Sequence, residues 1–546
     1  MLHNASSEPY GARMLLTGAT IWTGAGPVIS TGTVAVHAGR IVAVTDGPPP
    51  RGTSASDVLE LDGHTIVPGF QDAHCHPTHG GLRALRCDLT EADGRRACTE
   101  AVSAYALANP DLDWIIGGGW RMPDFPGGTP RREDLDGVVP DRPIFLINTD
   151  GHGAWVNTRA LELAGVTADT PDPVDGRIER DGSGTATGTL HEGAMELVRR
   201  RMPAPRPDRL VDAVLAGQRH LHALGITAWT DAWVVPDELA AYQALADRGA
   251  LTAKVTAALW WDRGRGLEQI DDLVAQRAAT RGDRLVASTV KIMQDGVVEN
   301  GTAAMLDPYL DRDGRLTTNT GLRHVDPALL SEAVTSLDAL GFQVHVHAIG
   351  DAAVRDALDA FAAARRAGGT GARHTIAHLQ VIQPDDLPRF AELGVIANAQ
   401  PYWAQLEAQM SDLTLPVLGP TRADLQYPWA GLLAHGATLA FGSDWPVSTA
   451  DPLWGIDVAV NRADPEHRAQ TPFLPEQRVS LDAALHAATR GSARVQDLDH
   501  TTGAVAPGMA ADLAVLDGPL FGFDASAPAD LRVALTMVDG EVVHEA

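Results

Sequence analysis

The two ends of the chain share one pattern of hydrophobic and polar positions. Near the N-terminus, apolar and polar residues alternate in the runs MLLTGATIWT, GTVAVHAGRIVAVTD and VLELDGHTIVPGF, which glycine and proline separate. The runs ADLAVLDGP, RVALTMVDG and EVVHE repeat this pattern near the C-terminus. Because neither end is long enough to form its own core, we predict one small β-sandwich domain built from residues 12–68 and 503–546. The alternative is two separate flaps on a large domain.

Between these ends, short apolar runs alternate with alanine-rich stretches of helical periodicity, such as DPALLSEAVTSLDALG, which end at glycine. This alternation is typical of βα units. The predicted strands end near Asp72–His76, Ile226–Asp231, Lys254–Leu259, Leu285–Met293, Phe342–His347, His374–His378, Val395–Ala399 and Thr438–Asp444. They predict an α/β fold, a (β/α)8 TIM-type barrel over residues 69–502, whose chemistry belongs at the carboxyl ends of the strands.

Residues 86–206 do not fit a single βα crossover. They carry strand-like and helix-like runs of their own, WIIGGGW, PIFLINTD and RALELAG, joined by segments rich in proline and glycine. Long insertions in compact domains usually serve a function. We therefore predict an insertion after the first barrel strand, which acts as a lid or a wall over the barrel mouth.

Composition excludes several classes of partner. The formal net charge of -27 argues against a nucleic acid or an anionic membrane surface, because both require a positive field. We see no signal peptide, no apolar run of the ~18 residues that span a bilayer, and no cysteine pattern typical of a disulfide framework. We expect a cytoplasmic protein with a small-molecule substrate and, on general grounds alone, a homodimer.

The first predicted barrel strand ends in a pair of histidines. His74 and His76 are two residues apart, so on a strand both imidazoles point to the same side. Neutral imidazole is the commonest protein ligand for zinc and similar ions. The spacing alone is weak evidence, because His220 and His222 share it on a predicted helix. There the two rings would diverge, and we interpret that pair as part of a helix surface.

Further side chains that bind metals lie at the ends of other predicted strands. In a (β/α)8 barrel these ends converge at one mouth, which makes chance placement of the whole set an unlikely explanation. The sequence therefore predicts a metal site formed by His74 and His76 together with Lys291, His347, His378 and Asp444.

The chain contains only two lysines, Lys254 and Lys291. Unlike arginine, lysine can lose its proton and react as a nucleophile. If the amine of Lys291 captures carbon dioxide, it becomes a carbamate that can bridge two divalent ions in a hydrolytic site. The alternative for Lys291 is a salt bridge inside the barrel. Lys254 opens the preceding strand, and we expect an ordinary ion pair there.

Several motifs together resemble one family. In VPGFQDAHCH, DGHGAWVNTRALELAG, VKIMQDGVVENGTAAML, HVHAIGDAAV, IAHLQ, FGSDWPV and GMAADLAVLD the chain resembles the amidohydrolase superfamily, and within it the N-substituted formamide deformylase-like group, amidohydrolase family 3. These motifs cover nearly the whole chain. The resemblance implies a metal-dependent hydrolase that cuts a C–N bond with a metal-bound hydroxide. It also implies a mononuclear or binuclear zinc-type site with a carbamylated lysine at the fourth strand.

The resemblance also implies roles for individual residues. The implied ligands are His74, His76 and Asp444 for one zinc ion, His347 and His378 for the other, and carbamylated Lys291 as the bridge. Asp444 would also accept the proton of the attacking water and later deliver it to the leaving amine. The metals would polarise the carbonyl and stabilise the tetrahedral intermediate.

Some assignments remain open. His345 faces the same way as His347, so either can be the ligand; we favour His347, which stands before AIGD, and keep His345 as a candidate substrate contact. His374 lies near the start of its strand, and we interpret it as structural. Asp150 and His152 resemble the family's substrate-pocket loop. His152 either holds the substrate carbonyl as a catalytic residue or only makes a loop hydrogen bond.

Tryptophans are candidate pocket residues as well. Trp120 and the pair Trp260 and Trp261 either line an apolar pocket, which would favour an aromatic or alkyl N-substituent, or belong to the core. The favoured activity is hydrolysis of a linear amide, such as an N-substituted formamide, or of a carbamate. The same barrel also supports a deaminase or a cyclic amide hydrolase. A non-catalytic scaffold fits less well, because no expected ligand is missing.

Overall fold

The computed structural model describes residues 11–49, 54–311, 313–523 and 526–546. Two parts of the predicted small domain, residues 50–53 and 524–525, lie outside the described residues. Among the helices of the described ranges, none is both long enough and apolar enough to cross a bilayer.

Strands from both ends of the chain join in one sheet. In chain order they are Gly11–Ile21, Ile29–His37, Arg40–Asp46, Ser54–Glu60, Thr65–Pro68, Leu513–Leu516, Val533–Val538 and Glu541–Glu545. The two ends meet where the fifth strand pairs antiparallel with the sixth, with Thr65 opposite Leu516. Apolar side chains from both ends, including Leu16 and Met537, pack into a shared core. The ends therefore form one unit and not two flaps, while the exact domain limits remain a prediction.

The central sheet is a nearly closed barrel of eight parallel strands. Its strands, numbered here from first to eighth, are Phe70–Cys75, Ile226–Val234, Lys254–Trp260, Leu285–Met293, Gln343–Ala348, Thr375–His378, Ile396–Ala399 and Thr438–Phe441. Each pairs with the next along the chain. Between the eighth and the first strand, the backbone N–H of Asp444 donates to the carbonyl of His74 at 2.7 Å. The predicted (β/α)8 fold is confirmed.

Helices surround this barrel. In chain order they are Pro77–Ala84, Pro207–Ala223, Pro236–Asp247, Ile270–Ala279, Pro327–Ala339, Asp351–Arg366, Leu387–Leu393, Leu415–Leu418, Pro420–Ala423, Trp429–Ala434, Pro452–Asn461, Leu481–His486 and Ser492–Val495. The helix Asp351–Arg366 is amphipathic. Its residues Val354, Ala357, Leu358 and Phe361 form one apolar face, which is buried.

The insertion follows the first barrel strand, as predicted, and has its own sheet. Its strands are Cys87–Asp88, Ile115–Trp120, Ile144–Asn148, Gly153–Val156, Gly176–Arg180 and Ala186–Glu192, and its helices are Gly94–Ala108, Arg132–Asp136, Thr158–Ala164 and Glu196–Arg199. It contacts loops that follow the third and fourth barrel strands. Asp175 pairs with Arg263 at 2.7 Å, and Glu192 accepts from Thr302 at 2.9 Å. The insertion therefore lies at the carboxyl end of the barrel.

The small terminal unit lies at the opposite end. Lys254, the first residue of the third barrel strand, pairs with Asp512 and, at 2.9 Å, with Asp539. Arg284, just before the fourth strand, also pairs with Asp539 at 2.9 Å. The ion pair expected for Lys254 is present, and it joins the terminal sheet to the amino ends of the barrel strands.

Candidate active site

His74, His76 and Asp444 meet at the carboxyl end of the barrel. Oδ1 of Asp444 lies 3.2 Å from Nε2 of His74 and 2.9 Å from Nε2 of His76. One ligand atom from each residue falls within 4.8 Å of the others. The alternation of the first strand points both rings inward, and the eighth strand brings in Asp444 from the far end of the sheet. These three side chains have the spacing of ligands to one metal ion.

His347 and His378 form a second group beside the first. Their ring centroids are 4.4 Å apart, and the centroid of His378 lies 4.8 Å from that of His74. Both ring nitrogens of His378 are buried, and among the described residues neither has a hydrogen-bond partner. A buried polar atom without a partner is costly, so these orphaned nitrogens fit a metal ion as the missing partner.

The backbone at two of these residues is strained. His378 has φ +78° and Asp444 has φ +57°, both in the left-handed region that L-residues seldom adopt. Each stands at or just beyond the end of a barrel strand, where the chain turns sharply to present the side chain to the mouth. Such strain persists where the surrounding structure enforces it, which is common at functional sites.

Burial also sets the charge of the histidines. It lowers the pKa of His74 and of His378 well below the usual value, and neighbouring positive charges act in the same direction. Both rings are therefore neutral near pH 7. Neutral imidazole is the form that binds a metal ion.

Asp295 fixes the orientation of His347, and the sequence analysis did not identify it. Its buried carboxylate accepts backbone N–H groups of Ala304, Ile349 and Gly350 at 2.8–3.0 Å. One of its oxygens lies 3.4 Å from Nε2 of His347. This contact engages Nε2 and leaves Nδ1 as the ring nitrogen available to a metal. The only signal in the sequence is that Asp295 shortly follows the fourth strand.

His345 lies deeper in the barrel than the mouth. It is fully buried, and its Nε2 lies 2.8 Å from Nδ1 of His74. A side chain in this position supports His74. The suggested substrate contact of His345 stays a prediction, and strand alternation places both His345 and His347 inward but not at equal depth.

Lys291 lies inside the barrel, 3 % exposed and paired in register with His345. Burial lowers the pKa of its amine to about 7, although the charge of Asp444 acts in the opposite direction. No carboxylate of the described residues lies within 4.0 Å of its nitrogen, so the alternative of a salt bridge is not observed. An amine with this pKa is partly neutral near pH 7 and hence able to react.

The insertion contributes His152 to the mouth. Its ring centroid lies 5.6 Å from that of His347, and its Nδ1 lies 2.9 Å from Oε1 of Glu192. Burial alone would lower the pKa of His152, but the Glu192 carboxylate raises it to about 9. Asp150 shapes this loop by accepting the backbone N–H of His152 at 2.9 Å. The sequence analysis missed Glu192, whose one signal is its position at the end of a strand.

Two of the three suggested tryptophans do not line the mouth. Trp120 donates to the carbonyl of Leu146 at 2.8 Å inside the core of the insertion, and Trp261 is 1 % exposed in the barrel core. Trp260 is half-buried and stacks on Trp233 with ring centroids 3.9 Å apart. We correct the placement of Trp120: apolar residues at strand ends look alike in sequence whether they face a core or a pocket.

The remaining histidine predictions have mixed outcomes. His220 and His222 do lie on the helix Pro207–Ala223. His222, however, is buried and not on the helix surface. Its two ring nitrogens bond to the carbonyl of Ile226 and the hydroxyl of Thr252. His374 has the expected position before the sixth strand, where its ring stacks on Phe361.

Comparison with known proteins agrees with this geometry. The family model described as the amidohydrolase family matches residues 57–544. The protein LONG AFTER FAR-RED 3 of Arabidopsis thaliana is 31 % identical over 525 residues, which cover 92 % of this chain and 87 % of the relative. The N-substituted formamide deformylase of Arthrobacter pascens is 27 % identical over 526 residues, 94 % of each chain.

A solved structure shares the fold over most of this chain. The crystal structure of an uncharacterized metal-dependent hydrolase from Pyrococcus furiosus aligns with a TM-score of 0.70 at 28 % identity, over 92 % of this chain and 98 % of the other. The family model covers the barrel, the insertion and the part of the terminal sheet that follows residue 57. The chain therefore belongs to the amidohydrolase family, and it is a metal-dependent hydrolase that acts on carbon–nitrogen bonds.

Proposed function

We propose that this hydrolase cleaves a linear amide, of the N-substituted formamide, simple amide or carbamate type. In the reaction one water molecule adds to the acyl carbon and the bond from that carbon to nitrogen breaks. The acid keeps the oxygen of the water, and the amine leaves with an added proton. The observation that carries the proposal is the convergence of His74, His76 and Asp444 from opposite ends of the barrel sheet.

Two divalent ions, zinc in the first instance, fit the side chains at the mouth. His74, His76 and Asp444 would hold one ion, His347 and His378 the other. Bound at this position, such ions supply a water nucleophile at neutral pH and polarise the carbonyl of the substrate.

Lys291 would join the two ions as a carbamate. The lone pair of its neutral amine attacks the carbon of carbon dioxide, and the displaced N–H proton passes to solvent. The product is an anionic group on a long side chain. The low pKa of Lys291 supports this step, because only the neutral amine reacts.

Asp444 would move the proton. Burial alone would raise its pKa, but the hydrogen bond from His76 holds the pKa below its usual value, so the carboxylate is ionised at neutral pH. It can accept a proton from the attacking water and deliver it to the nitrogen of the leaving amine. His152 would donate a hydrogen bond to the carbonyl oxygen, where negative charge develops.

A substrate panel tests the proposal. Zinc-loaded protein is incubated with formanilides, aryl acetamides, carbamates and cyclic imides, and the product is measured, which is free amine from a linear member and the opened ring from a cyclic one. We expect hydrolysis of linear members. Hydrolysis of the cyclic members alone would refute the linear-amide assignment. Metal analysis adds a second readout. About two zinc ions per chain agree with the proposed site, and one zinc ion indicates a deaminase-like site. A protein that binds no zinc contradicts the assignment.

A further inference from the structure

Glu192 is a buried carboxylate in the wall of the mouth. It ends the insertion strand Ala186–Glu192, and it is 4 % exposed. Its Oε1 lies 2.9 Å from Nδ1 of His152, and the same atom accepts the hydroxyl of Thr302 at 2.9 Å. A buried carboxylate is costly unless charged or polar partners compensate it. Here the compensation comes from one histidine at the active site and one hydroxyl of the barrel.

The backbone of His152 is held from both sides as well. The backbone N–H of Glu192 donates to the carbonyl of His152 at 3.0 Å, and the side-chain amide of Asn300 donates to the same carbonyl at 3.2 Å. Glu192 belongs to the insertion, whereas Asn300 follows the fourth barrel strand. The loop therefore cannot shift relative to the barrel without breaking one of these bonds.

With Nδ1 engaged by Glu192, the other nitrogen of the ring remains available. Over the ranges that the structure describes, Nε2 of His152 has no hydrogen-bond partner. The ring lies 5.6 Å from that of His347, the candidate ligand at the end of the fifth strand. A donor that is held in place before the reaction stabilises developing charge without a cost of reorganisation.

We propose that Glu192 is a positioning residue, which fixes the ring of His152 so that its Nε2–H points at the carbonyl oxygen of the substrate. The inference rests on the proposed amide hydrolysis and assigns the insertion a part in it. The insertion supplies a hydrogen-bond donor to the reaction and is not only a cover. Through their hydrogen bonds to Glu192 and to the carbonyl of His152, Thr302 and Asn300 hold this donor in a fixed position relative to the barrel.

A double-mutant cycle tests whether Glu192 acts through His152. We expect His152→Ala to lower kcat by about 100- to 1000-fold with little change in KM, since the donor acts on the transition state. Glu192→Leu keeps the volume without an acceptor and should cost about 100-fold, whereas Glu192→Gln keeps an acceptor oxygen and should cost about 10-fold. In the His152→Ala background, neither Glu192 substitution should lower kcat further.

The matched control is a second histidine–carboxylate pair on the same sheet. Nε2 of His191 lies 3.3 Å from Oε2 of Glu179, outside the group of candidate ligands. Glu179→Gln should leave kcat and KM unchanged. A further loss on adding Glu192→Gln to His152→Ala would show that Glu192 supports the fold and not the ring, and would overturn the inference. Because Gln is isosteric with Glu, this arm does not depend on the folding of Glu192→Leu.

A spectroscopic readout separates this inference from the proposed function. In the zinc-loaded wild type, an Nδ1–H bonded to a carboxylate should give a strongly downfield proton resonance. That resonance should vanish in His152→Ala, shift upfield in Glu192→Gln and persist in Glu179→Gln. Its absence from the wild type overturns the positioning role. If the resonance is present but no substrate of the panel is hydrolysed, the proposed function is wrong, while the positioning of the His152 ring by Glu192 is still supported.

Discussion

Nδ1 of His74 and Nε2 of His345 lie 2.8 Å apart in the interior of the barrel. One of these nitrogens must carry the shared proton and the other must accept it. When His74 binds a metal through Nε2, its Nδ1 keeps the proton and donates to His345. His345 is therefore placed to set the tautomer and the direction of a candidate metal ligand without contacting the ion itself.

Replacement of His345 should weaken metal binding. We expect His345→Ala to lower zinc affinity by about 10- to 100-fold, the usual effect of removing a partner that orients a metal-binding histidine. A competitive zinc titration measures this. The control is His374→Ala, which removes a buried histidine from the start of the next strand and should leave zinc affinity unchanged. Equal affinity of His345→Ala and the wild type would contradict the role.

Replacement of Lys291 should abolish turnover. Lys291→Ala removes the group that would bridge the two ions, and short carboxylates such as acetate or propionate, added in solution, should restore part of the activity. Rates with and without the added acid are the measurement. Unchanged turnover in Lys291→Ala would show that the carbamate role is wrong.

The only other lysine provides the matched control. Lys254→Ala should leave the turnover of folded protein intact, because Lys254 lies at the amino end of the barrel. It should lower the free energy of unfolding by about 3 kcal/mol, since the fully buried carboxylate of Asp512 loses its charged partner. Urea unfolding checks this value. Loss of activity without loss of stability would contradict the assignment.

Carbamate formation should depend on pH in a defined direction. Burial holds the pKa of Lys291 at about 7. Below this pH the amine is protonated and unreactive, and above it the amine is neutral and attacks carbon dioxide. We therefore expect the carbamate signal of protein in 13C-labelled bicarbonate to grow from about pH 6 to about pH 8. The signal should be missing in Lys291→Ala and unchanged in Lys254→Ala. Equal labelling at both pH values would refute the prediction.

Removal of metal should lower stability as well as activity. An ion that binds only the folded chain stabilises it in proportion to the logarithm of its concentration over Kd. Treatment with a chelator should therefore reduce the melting temperature and stop turnover, and added zinc should restore both. His76→Ala, which lacks one candidate ligand, should show a smaller shift of melting temperature on zinc addition. A chelated protein that keeps full activity would contradict metal dependence.

The candidate ligands were accessible to sequence reasoning because each ends a strand. Apolar runs between alanine-rich helices mark the barrel strands, and the carboxyl ends of parallel strands meet at one mouth. This is why His74, His378 and Asp444 were predicted together although 370 positions separate the first from the last. The structure brings them into contact, as the strand order requires.

Other features had no local signature. Trp120 and Trp260 both end strands, yet one is enclosed by the core of the insertion and the other is half-buried against Trp233. The depth of His345 relative to His347 follows from the stacking of side chains inside the barrel. Strand periodicity reports the face on which a residue lies, but not its height along the barrel axis.

By itself, the sequence determined the class of fold and the family, and it supplied the candidate metal ligands, because each follows from periodicity or from motifs a few residues long. Only the tertiary structure decided which polar groups pair across the mouth. Glu192 meets His152 from another strand of the insertion, and Asp295 meets His347 from the loop after the fourth barrel strand. Such pairs depend on packing between distant segments, and burial of a charge makes the choice of partner energetically decisive.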